Sequence, residues 1–376
     1  MPDQSPAVLQ VLPALNAGGV ERGTIEIAEA LAEAGFRPFV ASAGGRMVAE
    51  LEARGGRHVT LPLDQKSPAA LLRQAGALAA LVRAERIGIV HARSRFPAWA
   101  ALMAARRGGA HFVTTYHGTY NEGFPGKRLY NSVMARGERV IAISQFIATL
   151  LRQRHGTDPA RIRVIPRGVD MRRFDPAAVA DARVAALRAA WGVPEGRPVL
   201  LLPGRITRWK GQEVLLRALA MLPAPRPFAV LVGDEGRGTF AAELRHQVAA
   251  LGLGGDVAMP GHCDDLPAAF RLADLALHCS TDAEAFGRTI VEAQAMECPV
   301  IASDLGAPRE TVLEGETGWR SPPGDAAALA GAISRALALP AEERARIGAQ
   351  GRAVVLEHYT TAAMQRATLS VYRELL

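Results

Sequence analysis

Cysteine is scarce. Cys263, Cys279 and Cys298 are the only three in the chain, none belongs to a C-x-x-C pair, and an odd number closes no disulfide framework. A reducing, cytoplasmic setting is the expectation, with the three thiols as small buried side chains. Aromatic residues make up only 5%. No basic run is interleaved with them, so a nucleic-acid-binding footprint is missing despite the net charge of +7. No apolar stretch approaches the ~20 residues of a membrane span. Met1 to Pro6 shows no basic region leading into an apolar one, so no secretory leader is expected. No D-x-D pair occurs anywhere, which withholds an acidic metal chelate. The second predicted strand ends Val40-Ala41-Ser42-Ala43, without the acid that accompanies a G-x-G-x-x-G dinucleotide fingerprint.

What is present is apolar bulk and alternation. The 376 residues, 49% apolar, suffice for two cores at ~100–200 residues per domain. Short apolar runs at Ala7–Leu12, Phe39–Ser42, Val59–Leu63, Gly88–His91, His111–Tyr116 and Arg139–Ile143 alternate with helical periodicity, as at Val20–Ala34 (stopped by Gly35), Pro68–Arg86 and the stretch capped by Ser144. Buried strands separated by helices predict a parallel sheet covered on both faces. Pro166–Pro176 is turn-rich and breaks the rhythm. The pattern then restarts, with strands predicted at Pro198–Pro203, Phe228–Gly233, Asp256–Pro260, Leu275–His278 and Pro299–Ala302, and ends in a helical segment, Tyr359–Leu376. The expected fold is α/β: two doubly wound Rossmann-like domains facing a cleft, 1–175 and 176–358, with 359–376 as a helix returning to the first domain. Charge divides with them. Residues 1–192 hold 26 Lys+Arg against 15 Asp+Glu, net +11, and the remainder 18 against 22, net −4, so the first half is expected to meet something anionic.

Ligands of open parallel sheets bind outside the carboxyl ends of the strands, and several loops there carry polar chemistry. Glu284 to Glu292 (EAFGRTIVE) follows a predicted strand. Gly287 opens a helix whose first N–H groups suit a phosphate, Glu284 stays on the loop, and Glu292 falls one to two turns inside. Gly204 to Gly211 (GRITRWKG) places Arg205 and Lys210 beside another helix start, a pyrophosphate clamp in form. Asn16-Ala17-Gly18-Gly19 lets backbone approach a ligand. His117 ends a strand in Thr115-Tyr116-His117-Gly118, and Asp234 and Glu235 follow a further one. Taken singly, each has an ordinary reading: surface acids on an amphipathic helix, a solvated basic loop, a plain turn, a structural histidine. Taken together, phosphate clamps, a ribose acceptor, and an acid and an imidazole for hydroxyls fit one ligand, a sugar nucleotide, with the Arg205–Lys210 pair replacing a metal.

With these residues in view, the chain resembles family 4 of the GT-B glycosyltransferases over nearly its whole length. The E-x7-E motif from Glu284 to Glu292 is the most specific piece, joined by GRITRWKG, Gly18-Gly19, His117-Gly118, Ile143-Ser144 and the segment from Pro166 to Asp170. The resemblance implies Arg205 and Lys210 on the donor diphosphate, Glu292 on the ribose, and Glu284 by the transferred sugar. It further implies backbone N–H groups of Phe286 and Gly287 on sugar hydroxyls, with Arg288 and Thr289 in the same donor loop, Gly18 and Gly19 near the phosphates, and His117 against the sugar. Arg167, Ala285 and Glu235 depart from the family pattern. The last of these leaves the role of Asp234 open.

The implied activity is retaining, metal-independent transfer of a hexose-type sugar from a UDP- or GDP-linked donor to a glycan or glycolipid, without a cofactor. Basic-apolar segments holding Arg93 and Arg95, and Phe124, Lys127 and Arg128, are the expected acceptor region. They suit an anionic amphiphile at the inner face of a membrane, in lipopolysaccharide or other envelope glycan synthesis. A sugar-nucleotide epimerase of the same fold and a non-catalytic nucleotide-sugar-binding protein are the alternatives.

Overall fold

The computed structural model describes residues 5–16, 18–124, 126–236 and 238–376, and divides into two compact units, Met1–Arg167 with Thr361–Leu376, and Gly168–Thr360. Ala17 and Pro125, inside two of the stretches singled out above, lie outside the described residues.

In the first unit, β1 (Ala7–Val11), β2 (Arg37–Ser42), β3 (Arg57–Thr60), β4 (Ile87–Ala92), β5 (His111–Tyr116), β6 (Arg139–Ala142) and β7 (Ile162–Val164) form one parallel sheet in the order 3-2-1-4-5-6-7. The strands are apolar on both faces because helices cover both. Punctuation is local. Ser67 and Ser144 each accept a hydrogen bond from the backbone N–H three residues on, capping the helices Pro68–Ala84 and Gln145–His155. The helix Gly19–Glu33 ends just before Gly35, whose φ of 77° only glycine adopts cheaply. One face of the sheet is covered by that helix together with the last one, Thr361–Arg373. Met364, Leu369, Val371 and Tyr372 pack there against Val8, Ile27, Leu31 and Ile89, each contributing about 1.5–3 kcal/mol through burial. The Tyr372 hydroxyl lies 2.6 Å from Nδ1 of the fully buried His91, whose Nε2 meets Thr115 Oγ1 at 2.7 Å. Burial, reinforced by the Arg93 charge, holds that imidazole well below its ordinary pKa, hence neutral.

The second unit repeats the plan: β8 (Val199–Pro203), β9 (Phe228–Val232), β10 (Val257–Gly261), β11 (Leu275–His278), β12 (Val300–Ser303) and β13 (Gly318–Ser321), in the order 10-9-8-11-12-13. Leu200, Leu202, Leu231, Leu277 and Ile301 meet Leu215, Leu219 and Ile333 of the covering helices Gln212–Met221 and Ala326–Ala338. In each sheet the chain first winds one way from its opening strand and then the other. The switch points lie between β1 and β4 and between β8 and β11, where ligands of such sheets bind.

The expected strands are present, β5 and β11 with the same ends and the others with ends shifted by up to three residues, and β7 and β13 are additions. Ile-Arg-Val and Gly-Trp-Arg-Ser sit at sheet edges and are too short and mixed for an apolar run. The unit boundary falls at 167/168 where the sequence suggests 175/176, and at 360/361 where it suggests 358/359. Residues 168–175 are not a free connector. Val169 donates to the Tyr359 carbonyl at 2.8 Å, the Phe174 ring lies 6.4 Å from that of Phe270, and Arg352 reaches Asp175 at 3.2 Å.

Tyr372→Phe strands the buried His91 nitrogen without adding bulk. It should cost about 1–3 kcal/mol in urea unfolding, whereas Leu376→Ala, at the exposed end of the chain, should cost little.

Candidate functional site

At the second unit's switch point, the loop after β8 carries Arg205 and Lys210, and the loop after β11 carries Glu284. Backbone holds the two loops together. Thr281 donates its N–H to the Trp209 carbonyl at 2.8 Å. Gly211, at φ 73°, lies so close to residue 279 that a Cβ there would stand 1.9 Å from the Cys279 carbonyl oxygen, so no other residue fits. Lys210 Nζ donates to Glu284 Oε1, and its ammonium also sits 4.4 Å from the Trp209 ring centroid. His278 Nε2 and Ser280 Oγ approach the same Oε1, each at 3.3 Å. Burial alone would raise this carboxyl, but the His278 hydrogen bond and the Lys210 charge overcome it and hold the pKa at about 2. Glu284 is therefore a fixed anion whose three partners all use one oxygen. Its main chain is fixed as well: its carbonyl accepts from Ala307 N at 3.0 Å, beside Gly306 at φ 75°.

Arg205 is exposed and has no ion pair among the described residues, whereas Arg208 in the same loop is spent on Glu213 and Glu243. The helix Arg288–Ala295 starts at Gly287, which adopts φ 82°, and Phe286 is buried with its ring edge-on to Tyr359. The opening N–H groups of a helix have no partner within it, so the backbone from Gly287 to Thr289 offers donors in one direction. Glu292, one turn in, is 6% exposed and accepts from Arg288 at 2.9 Å. Burial raises its pKa, opposed by that guanidinium. Phe286 to Glu292, Arg205, Lys210 and Glu284 thus all follow β8 or β11, on the rim of the switch point. Asp234 accepts from Gly236 N at 2.9 Å, closing a turn, and Glu235 pairs with Arg245.

In the first unit, the loops after β1, β4 and β5 enclose a cavity of about 220 Å³ lined by Glu21, Arg93, Ser94, Arg95, His117 and Tyr120, among others. Gly18 precedes the helix Gly19–Glu33 at φ 130°, and the Gly19 carbonyl accepts from Arg167. Arg167 Nη2 also donates to His117 Nδ1 at 2.9 Å. That nitrogen is therefore an acceptor, and the neutral ring carries its proton on Nε2, a buried atom with no partner among the described residues. Burial first, then the charges of Arg167 and Arg93, keeps His117 well below its ordinary pKa, so the ring is a neutral donor, not a cation.

Two expected acceptor residues line this cavity but are not the surface groups that the sequence suggests. Arg93 is not a surface group. It is 4% exposed and donates to Gln10 at 2.9 Å, because it follows β4 at the centre of the sheet. Arg95 lies 4.3 Å over the Tyr120 ring and donates to Asn131 at 3.1 Å, so it too faces inward. Phe124 and Arg128 are exposed, and the Lys127 ammonium sits 5.1 Å from the Phe124 ring centroid. Sequence reasoning missed His278 and Arg167. The signal for His278 was its place at the end of a strand. For Arg167 it was a charged residue standing where the family pattern has another.

Comparison with known proteins bears on these sites. Residues 17–173 match the family described as Glycosyltransferase Family 4, and residues 184–354 match Glycosyl transferases group 1. The D-inositol 3-phosphate glycosyltransferase of Xylanimonas cellulosilytica is 31% identical over 287 residues, 70% of this chain and 67% of that protein. Its counterpart in Geodermatophilus obscurus is 35% identical over 257 residues, 63% of this chain and 56% of its own length. The chain thus spans between about half and two thirds of these curated relatives. Among solved structures, a glycosyltransferase from Rickettsia africae superposes with a TM-score of 0.92 at 36% identity, covering 99% of both chains. HepE of Anabaena, solved with UDP, gives 0.87 at 25%, covering 98% of this chain and 100% of that one, and it has also been solved with UDP-glucose.

The depressed Glu284 carboxyl has a consequence for stability. Its folded value lies below its unfolded one, so its contribution is complete above the unfolded value and is lost as pH falls toward 2. Lys210→Met removes one of the groups that hold it down and should move acid unfolding, followed by circular dichroism, to higher pH.

Proposed function

The chain belongs to the family 4 glycosyltransferases of the GT-B fold, and from that premise we propose that it moves a hexosyl group from a nucleotide-diphosphate sugar to a hydroxyl of a glycan or glycolipid, retaining anomeric configuration. The observation that carries this reading is the rim of the second unit: a cation without an ion pair among the described residues, a buried carboxylate one helical turn in, and an anion clamped through one oxygen, all at a strand switch point. Arg205, Lys210 and the N–H groups opening the helix Arg288–Ala295 take the diphosphate. Glu292 accepts from ribose hydroxyls. Glu284, its Oε1 engaged, offers Oε2 to a hydroxyl of the sugar. HepE with UDP and UDP-glucose supports a uridine donor.

In this reading the acceptor oxygen attacks the anomeric carbon on the face from which the diphosphate departs. The C–O bond to the phosphate breaks as the new one forms, and the acceptor's proton goes to the leaving phosphate oxygen. No enzyme carboxylate is required as a nucleophile. Glu284 is held by Lys210, His278 and Ser280, which suits positioning rather than attack. The protein contributes orientation and stabilisation of the charge on the departing diphosphate, through cations rather than a chelated metal. His117 Nε2–H donates to a hydroxyl within the first unit's cavity. An envelope glycan such as lipopolysaccharide core remains the acceptor setting we favour. A peripheral place on an anionic membrane rests on Phe124, Lys127 and Arg128 rather than on Arg93 and Arg95. A phosphorylated polyol acceptor is the second reading, favoured by the arginines of that cavity. An epimerase of the same fold is not favoured by the matches to transferases.

Glu292→Ala should weaken UDP binding, measured by calorimetry, by about 1.5–3 kcal/mol, the range for a hydrogen bond to a charged group. An unchanged dissociation constant in a folded variant would return Glu292 to a purely structural part. Transfer should also continue in excess EDTA, and loss of activity restored by Mg²⁺ or Mn²⁺ would refute the cation clamp.

A further inference from the structure

Away from the switch point, the first unit has a second, larger cavity of about 660 Å³. Five arginines line it: Arg106, Arg128, Arg136, Arg154 and Arg161. They come from the ends of five different elements, namely the helices Arg95–Gly108, Lys127–Asn131 and Gln145–His155 and the turns at 132–136 and 159–161. None of the lining residues is acidic, and none of the five arginines has a carboxylate partner among the described residues. Glu122 contacts the lining residue His155 at 3.8 Å and none of the five arginines.

Many arginines elsewhere in this chain are neutralised, as Arg139 and Arg163 are by Glu374, or Arg197 by Asp256. Here they are held by neutral acceptors that leave their charge intact. Arg161 donates to the carbonyls of Ala135 and Gly137, Arg154 donates to the Tyr120 carbonyl at 2.8 Å, and Arg136 lies 4.8 Å over the Trp99 ring. Helix C-termini attract cations, which accounts for Arg106 and Arg154 in the last turns of long helices but not for their convergence with Arg128, Arg136 and Arg161 on one cavity. Concave, uncompensated guanidinium groups raise the local concentration of anions, and their forked donors match phosphate oxygens two at a time. The volume exceeds the need of one phosphate. Leu129 on the rim and neighbouring Phe124 are 63% and 60% exposed, so an apolar surface adjoins the charge.

We propose that this cavity is an anion site for a group carrying two phosphates, separate from the donor diphosphate site. Such a group could come from a soluble diphosphate or from a lipid headgroup, and the chemistry recognised is the same.

The test uses the full chain with inorganic pyrophosphate as the probe, titrated in the presence of saturating UDP so that the donor rim is filled. The parent protein should bind pyrophosphate, and Arg106→Gln/Arg136→Gln should bind it at least tenfold more weakly with unchanged melting and unchanged UDP affinity. Absence of pyrophosphate binding in the parent under UDP, or equal binding by the double variant, overturns the proposal. If UDP itself fails to bind, the reading of the donor rim fails, while the comparison of parent and variant still decides this site. Vesicles containing phosphatidic acid separate the two sources. Vesicle binding that pyrophosphate displaces and the double variant lacks identifies a lipid headgroup, and vesicle binding unaffected by either identifies a soluble phosphate.

Discussion

The second unit depends on one contact, the ion pair between Lys210 and Glu284. It joins the loops after β8 and β11, the two strands between which the sheet reverses direction. A parallel sheet opens a gap there because the two outgoing chains depart to opposite sides. The pair spans that gap with charges of both signs, and Gly211 makes it geometrically feasible by letting backbone touch backbone. A buried pair of this kind is weak evidence for stability. Its value lies in orientation, because three partners converge on one carboxylate oxygen and leave the other in a known direction.

The first unit solves a related problem with a different residue. Arg167 ties the Gly19 carbonyl to His117, and so fixes both the loop after β1 and the tautomer of the imidazole. A neutral ring with its proton on Nε2 can donate to a hydroxyl without adding charge to an already basic cavity. The buried Arg93 acts on both His117 and His91 through its charge, and His91 is hydrogen-bonded to Tyr372, on the helix Thr361–Arg373. That connection gives the last helix a structural duty besides covering apolar surface.

Much of this was legible in the sequence, for identifiable reasons. Buried strands announce themselves as apolar runs, and β5 and β11 were placed to the residue because both their ends are marked by polar or turn-forming neighbours. The placement of Arg205, Lys210, Glu284 and Glu292 after β8 and β11 was legible because glycines and charged residues interrupt the apolar runs there. The edge strands were not, since half-buried three- and four-residue segments such as Ile162–Val164 leave no periodicity. Nor was the burial of Arg93. A basic residue beside Arg95 and Phe96 reads as surface, and only the sheet order shows that the end of β4 lies at its centre. The five-arginine cavity was invisible for the same reason, as its members are spread over 56 positions, from 106 to 161, and meet only through the fold.

The central claim is that the rim formed by Arg205, Lys210, Glu284 and Glu292 holds a sugar nucleotide. The most direct measurement is a thermal-shift panel of UDP-, GDP- and ADP-sugars on the parent protein and on Arg205→Ala/Lys210→Ala. The account predicts that a UDP-sugar raises the melting temperature of the parent and not that of the double variant. A parent protein indifferent to every nucleotide sugar, or a double variant stabilised as strongly as the parent, would contradict it.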